Sequence, residues 1–394
     1  MAIGSLPNLA KGEFKSASSN NEIVVNGENN LSKVLHMSSG SGESSYAQNS
    51  SRQSSVFKSM QQAFHRLIQS LPVENSSGLL RIADLGCATG MNTVSEVDFV
   101  VTTIKKLCSK RGVSVPQLQV FFNDLPCNDF NGLFMLLNSS KPDYMAAGVP
   151  RSFYQALFPH DSIDICFSIM ALHWLSQVPE GVGNEGSCLY NKGNVWINGG
   201  GAQVARAYAE QSQKDLRGFF RWRGEEMAKG GVMFICAMGR PNGVSAEQQV
   251  TSEGEYCGPD FEAAWDDLIS EGIVKAETRD SFNLPWYFPN ADEMKEAVEA
   301  SGAFEIVKLE VCSGVCCMAE REYEEWVSDV ECFGKKKARL VRSFVGSLVE
   351  DAIGVENCNA LFERMERRSS EMLEKGLLHP SRYVSCIVAA LVRK

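Results

Sequence analysis

Leu79-Leu80-Arg81-Ile82-Ala83-Asp84-Leu85-Gly86-Cys87-Ala88-Thr89-Gly90 reads as a buried strand that runs into an acid and a glycine-bearing turn. Beyond the turn, Val94, Val97, Val101, Ile104 and Leu107 recur at helical spacing, and Gly112 supplies the stop. A second apolar run, 118–122, again ends in an acid, Asp124. A third, 163–169, leads into Ala171-Leu172-His173-Trp174, and a fourth, 232–238, follows Gly230-Gly231. Strands separated by helical stretches predict crossover units, hence an α/β fold with a mainly parallel sheet and helices on both faces. Later runs at 304–311 and 383–392 complete the sheet.

Several segments exceed what such a sheet needs. Residues 179–215 hold a Gly-rich stretch, 250–295 include Trp265, Trp286, Tyr287 and Phe288, and 320–378 are charged and helical in pattern, with Trp326, Val330, Phe344 and Leu348 pointing inward. These three form a helical cap over the strand ends. The core is then 31–178, 216–249, 296–319 and 379–394. Residues 1–30, rich in Ser, Asn and Gly, read as a disordered arm.

Composition narrows the function. The chain of 394 residues carries a net charge of −10, the wrong sign for tracking phosphates, so small-molecule chemistry is the better expectation than nucleic-acid binding. Its thirteen cysteines contain no CxxC pair, and most lie in apolar runs where a thiol behaves as a small hydrophobe. That usage fits a reducing compartment. No apolar run approaches the ~18 residues of a membrane span, and the N-terminal residues lack a signal core, so the expected location is the cytoplasm.

In an open parallel sheet, ligands bind at the carboxyl ends of the strands where chain order reverses. The Asp84 loop belongs there. Gly86 and Gly90 let the backbone come close to a ligand, and Asp84 offers an acceptor for an ammonium or a bridging water. Asp124, at the tip of the second strand, is placed to accept ribose hydroxyls. That suits any adenosine cofactor. The dinucleotide fingerprint, however, needs G-x-G-x-x-G with an acid about 20 residues on, whereas here Gly86 and Gly90 are separated by three residues and the acid lies about twice as far away.

With Asp84 to Asn92, Asn123-Asp124-Leu125 and His173-Trp174-Leu175-Ser176-Gln177-Val178-Pro179 in view, the chain resembles the plant SABATH family of S-adenosylmethionine-dependent methyltransferases. The likeness takes in Leu35-His36-Met37, Ser45-Tyr46-Ala47-Gln48-Asn49-Ser50, Gly148-Val149-Pro150-Arg151-Ser152-Phe153-Tyr154, Asn191-Lys192-Gly193-Asn194 and Ser281-Phe282-Asn283-Leu284-Pro285. It covers about 360 residues. The resemblance implies a Rossmann-like methyltransferase fold and methylation of a small carboxylic acid or, in some members, a xanthine ring nitrogen. By the same resemblance the cofactor would touch Tyr46, Ser50, Asp84, Gly86, Cys87, Asn92, Asp124, Leu125, Ser152, Phe153 and Ser168. Gln53 and Trp174 would align the substrate carboxylate, with Tyr46, Met170, His173 and Trp265 around it. A divalent-cation site, Mg2+ by its oxygen donors, would fall on Asn191, Asp280, the Phe282 carbonyl and Asn283. A homodimer is implied as well. Ser38 and Met170 depart from what many members carry, leaving no cation and an adaptable apolar wall. The expectation is a methyl ester of a benzoate, salicylate or cinnamate kind of acid, made without a general base. Nitrogen methylation and a catalytically silent acid sensor are the alternatives.

Overall fold

A computed structural model describes residues 31–75, 78–249 and 257–394. The expected arm, 1–30, lies outside the described residues. Seven strands, β1 (Leu79–Leu85), β2 (Gln117–Asp124), β3 (Met145–Pro150), β4 (Ile163–Ile169), β5 (Met227–Met238), β6 (Phe304–Cys316) and β7 (Tyr383–Arg393), form one sheet in the order β3-β2-β1-β4-β5-β7-β6. β1 to β5 pair in parallel, and β7 runs antiparallel between β5 and β6. Chain order reverses between β1 and β4. The resulting crevice at their carboxyl ends is the ligand-binding position of such sheets.

Helices α1 (Leu31–Val34), α2 (Tyr46–Asn49) and α3 (Ser51–Ile68) precede β1, and α4 (Met91–Arg111) and α5 (Phe130–Ser140) follow β1 and β2. α4 ends where the sequence predicts: Gly112 takes a left-handed conformation, φ 67°, that a Cβ would strain. On one face of the sheet, Phe64 of α3 stacks on Phe234 of β5 at 4.5 Å between ring centroids. The other face is covered by α6 (Gly201–Glu226) and α9 (Ala291–Ser301), through Leu216, Phe219, Phe220, Met294 and Val298. The remaining helices, α7 (Pro259–Ser270), α8 (Ala276–Ser281), α10 (Glu320–Ser328) and α11 (Val330–Glu374), lie in the segments read as the cap.

Two readings change. The sequence gives no hint of β3, because Met145-Ala146-Ala147-Gly148-Val149-Pro150 has neither an apolar run nor strict alternation. It is an edge strand with no fully buried residue. The boundaries at 215/216 and 295/296 fall inside α6 and α9. α6 is one helix whose partners change along its length: Val204, Ala205 and Tyr208 pack with the cap, and Leu216, Phe219 and Phe220 pack on the sheet. The capping box of Asn290 and Glu293 starts α9 one turn before the expected boundary.

One buried ion pair fixes the segment between β3 and β4. Arg223, 1% exposed, bonds Glu226 from Nε at 2.8 Å and also donates to the carbonyls of Phe153 (2.7 Å) and Gln155 (2.9 Å). Glu226 in turn accepts the Leu157 amide at 2.6 Å. This network clamps residues 153–157 onto the end of α6. Removing one partner strands a buried charge, so Arg223→Met is expected to cost ~3–5 kcal/mol. Urea denaturation checks this; a loss under about 1 kcal/mol, as for a surface pair, would contradict it.

Candidate active site

A cavity of about 690 Å³ opens at the β1/β4 crevice. Of the residues expected to serve there, Tyr46, Gln53, Gly86, Cys87, Asn92, Asp124, Leu125, Ser152, Phe153, Met170, His173 and Trp174 line it. They converge from α2, α3, four strand ends and the start of α4. The turn after β4 adopts an unusual backbone: Met170 has φ 55°, and its amide donates to the Cys236 carbonyl at 2.6 Å. A non-glycine residue in this region carries strain of about 1–2 kcal/mol, which turns Met170 into the cavity.

Asp124 is braced from both sides. Its Oδ2 accepts the Ala88 amide and its Oδ1 the Leu125 amide, each at 2.7 Å. Burial raises its pKa to about 6, opposed by these two amides and by nearby His36. Each oxygen keeps a lone pair for the cavity, so the carboxylate can accept two hydroxyl donors at once.

Four expected residues are not brought to the wall. Asp84 is 1% exposed and its Oδ2 accepts the Thr93 hydroxyl at 2.6 Å, which ties β1 to α4 beneath the loop. Burial lifts its pKa to about 7, the Thr93 bond lowers it and Asp124 raises it. Ser50 contributes its carbonyl to Asn92 Nδ2 at 3.0 Å, and the Ser168 hydroxyl donates to the Leu85 carbonyl at 2.9 Å. Both support the wall from behind. Trp265 is fully buried, with its ring 5.1 Å from Phe282, and is not part of the cavity lining, because α7 turns it into the cap core. Gly86 serves differently from expected: at φ 80° a Cβ there would lie 2.4 Å from that of Ala171, so the missing side chain lets the β1 and β4 turns meet.

On the far side stands an aromatic lattice. Trp174 pairs in a single bridge with Trp286, their rings 5.0 Å apart and nearly perpendicular. The Trp174 carbonyl accepts from Tyr154 Oη at 2.6 Å, and the Trp196 indole donates to the Trp286 carbonyl at 2.9 Å. These bonds fix the Trp174 backbone, while its indole N–H has no partner among the described residues. Gln53 Oε1 is likewise buried without a partner. His173, 9% exposed, packs its ring 5.8 Å from Phe288, and burial drives its pKa down to about 3. It is a neutral imidazole with an unpartnered Nδ1.

The expected cation ligands meet and largely pair with one another, but Asn191 Oδ1 is buried without a partner among the described residues. Asn191 Nδ2 donates to Asn283 Oδ1 at 2.8 Å and to the Trp196 carbonyl at 2.7 Å. Asp280 pairs with Arg279 Nε at 2.6 Å and accepts the Gly193 amide at 3.0 Å. Burial would raise its pKa, yet these partners hold it below the usual carboxylate range. The one carboxylate is already paired with a guanidinium, which supports a cap junction, while the unpartnered Asn191 Oδ1 is the single oxygen left that suits a cation. Asn191 Oδ1 faces Gly200, where a Cβ would lie 2.3 Å away.

The sequence reading passed over Glu96, Met238, Trp286, Phe288 and Phe344, all in the lining. Phe344 was assigned inward without a site, and Trp286 and Phe288 were noted only as cap aromatics. Glu96 sits two positions beyond Val94 in an apolar helix face. A charge on that face was the available signal.

The profile of the SAM dependent carboxyl methyltransferases matches residues 32–394. An indole-3-acetate O-methyltransferase of Arabidopsis thaliana is 40% identical over 89% of this chain and 93% of its own. A gibberellic acid methyltransferase of the same plant is 38% identical over 92% and 95%. The solved structure of a loganic acid methyltransferase with SAH superposes with a TM-score of 0.79, at 29% identity over 91% of this chain and 98% of that one.

Asp124→Ala is therefore expected to weaken S-adenosylhomocysteine binding at least ~100-fold with the fold intact, since two bonds to a charged acceptor are worth ~1.5–3 kcal/mol each. In the unmutated protein, affinity should fall as pH drops below about 6, where Asp124 takes up a proton and loses its charge. Titration calorimetry checks both; unchanged affinity in the variant removes Asp124 from the nucleoside site.

Proposed function

This chain belongs to the SAM dependent carboxyl methyltransferase family, and on that premise we propose that it esterifies a ring-bearing apolar carboxylic acid, held by Gln53 and Trp174. The observation that carries this reading is that neither the Trp174 indole N–H nor the Gln53 side-chain amide has a hydrogen-bond partner among the described residues, and both line the cavity beside its aromatic residues. Gln53 Oε1 is the buried amide atom, and Nε2 is the one that would donate. Both amide and indole can donate to one carboxylate. Met37, Met170, Met238, Trp286, Phe288 and Phe344 offer flat or adaptable apolar surface to the body of the acid. The expected benzoate, salicylate and cinnamate kinds fit such walls, and the relatives named for indole-3-acetate and gibberellic acid extend the range to fused rings.

S-adenosylmethionine, when bound, supplies an electrophilic methyl on a sulfonium. A carboxylic acid is already ionised at pH 7, so the protein has no proton to remove. Its task is alignment, which in well-oriented systems is worth up to ~7–11 kcal/mol. Gln53 and Trp174 would hold the carboxylate, Asp124 the ribose, and Phe153 a face of the adenine. The aromatic wall keeps water from the reacting oxygen. His173, neutral and buried, contributes shape rather than base catalysis. The thirteen free thiols support action in a reducing compartment such as the cytoplasm. The homodimer is proposed on family resemblance alone.

Two outcomes are expected. Gln53→Ala and Trp174→Phe each lower kcat/KM for an acid roughly tenfold or more, and the double variant loses less than the product, because one misaligned carboxylate is already misaligned. His173→Leu keeps kcat within about tenfold, since a lost general base costs ~10²–10⁴-fold. Its pH profile of kcat should match that of the unmutated protein above about pH 4, as an imidazole titrating near 3 is neutral throughout that range. Strictly additive losses at Gln53 and Trp174, or a His173 variant that loses a titrating group near neutrality, would defeat this reading.

A further inference from the structure

We propose that Glu96 is a cofactor-positioning residue that receives the ammonium of the cofactor's aminoacyl tail. The inference rests on placing that cofactor in the cavity described above.

Glu96 lies in the second turn of α4, three and four residues beyond Thr93 and Asn92, so it shares their face of the helix. All three line the cavity. Glu96 is 6% exposed and has no hydrogen-bond partner among the described residues. A carboxylate desolvated to that degree normally has a cation or donors beside it. Here the groups facing it are Asp84 from β1, Tyr46 from α2, Cys87 from the β1 turn and Cys236 from β5. None is a cation. The position is therefore unfavourable in the empty cavity and favourable once a cation arrives.

The tail of S-adenosylmethionine is a zwitterion, and α4 matches both of its ends. The helix begins at Gly90 without any side-chain cap, so the amides of its first turn are free to meet a carboxylate. One turn deeper on the same face stands Glu96, where an ammonium would lie beside it. Asp84, held by Thr93, backs this position and shares its charge with Glu96. Like charges in a buried pair oppose each other, so burial and Asp84 together keep Glu96 protonated well above the ordinary range of a glutamate. An arriving ammonium removes that opposition. The pair then gives up the proton to solvent, and binding of the tail becomes coupled to proton release.

The test is calorimetry of the full chain at pH 7 in buffers of different ionisation enthalpy, with three probes. S-adenosylhomocysteine carries the tail, 5′-methylthioadenosine lacks it, and S-adenosylmethionine adds the sulfonium. The homocysteine form should release more protons than the methylthio form, and any proton contributed by Asp124 cancels because both carry the ribose. Glu96→Gln should weaken S-adenosylhomocysteine roughly 10- to 100-fold, leave 5′-methylthioadenosine within about twofold and abolish the extra proton. Equal weakening of both probes would mean a merely structural role and overturn the proposal. So would proton release with S-adenosylmethionine but not S-adenosylhomocysteine, which would place the sulfonium, not the ammonium, at Glu96. Should the variant fail to fold, the proton difference in the unmutated protein decides alone: none means the proposal is wrong. Failure of all three probes to bind would instead sink the placement of the cofactor in this cavity, and the proposal with it.

Discussion

The bond from the Ala88 amide to the Asp124 carboxylate joins the turn leaving β1 to the tip of β2. Ala88 has to take φ 50° to make it. With Leu125 donating to the other oxygen, the acid is fixed in the plane where the sheet reverses its order. Around this anchor the other loops are set by close contact. Gly86 lets the Ala171 turn approach, and that turn carries Met170, His173 and Trp174 into the same space. The turns after β1 and β4 thus meet across one glycine.

The cap stabilises the Trp174 side of the cavity through backbone bonds. Leu175 donates to Pro285 at 2.7 Å and Tyr287 to His173 at 3.0 Å, so the β4 turn and the 285–287 segment share a short ladder. Arg240 bonds Glu293 and the Phe288 carbonyl, and Gln249 accepts the Phe288 amide. These partners lock the aromatic wall into one arrangement. Pre-organised walls of this kind favour alignment over induced fit.

Much of this was legible in the sequence, for physical reasons. Buried stretches of parallel strands are continuous apolar runs, so β1, β4 and β5 were evident, as was the stop of α4 at Gly112, and the half-buried β2 showed as the run 118–122. β3 was not, since an exposed edge strand need not be apolar. Twelve of the expected site residues line the cavity because the family motifs lie at strand ends, where topology collects them. Trp265 misled because an aromatic in a cap segment says nothing about which way its helix faces. Asp84, Ser50 and Ser168 lie behind the wall, a depth that no one-dimensional pattern encodes. Glu96 was overlooked because it interrupts a helical apolar stripe, where a charge reads as an irregularity until the cavity beside it is seen.

Methyl transfer from this cavity to a carboxylate oxygen leaves a direct chemical signature. Labelled S-adenosylmethionine should be offered with benzoate, salicylate, cinnamate, indole-3-acetate, a gibberellin and a xanthine, and the labelled product treated with mild base. Label is expected in a base-labile methyl ester of one or more of the acids, with none on the xanthine. Base-stable label on the xanthine, with every acid left unmethylated, would contradict it.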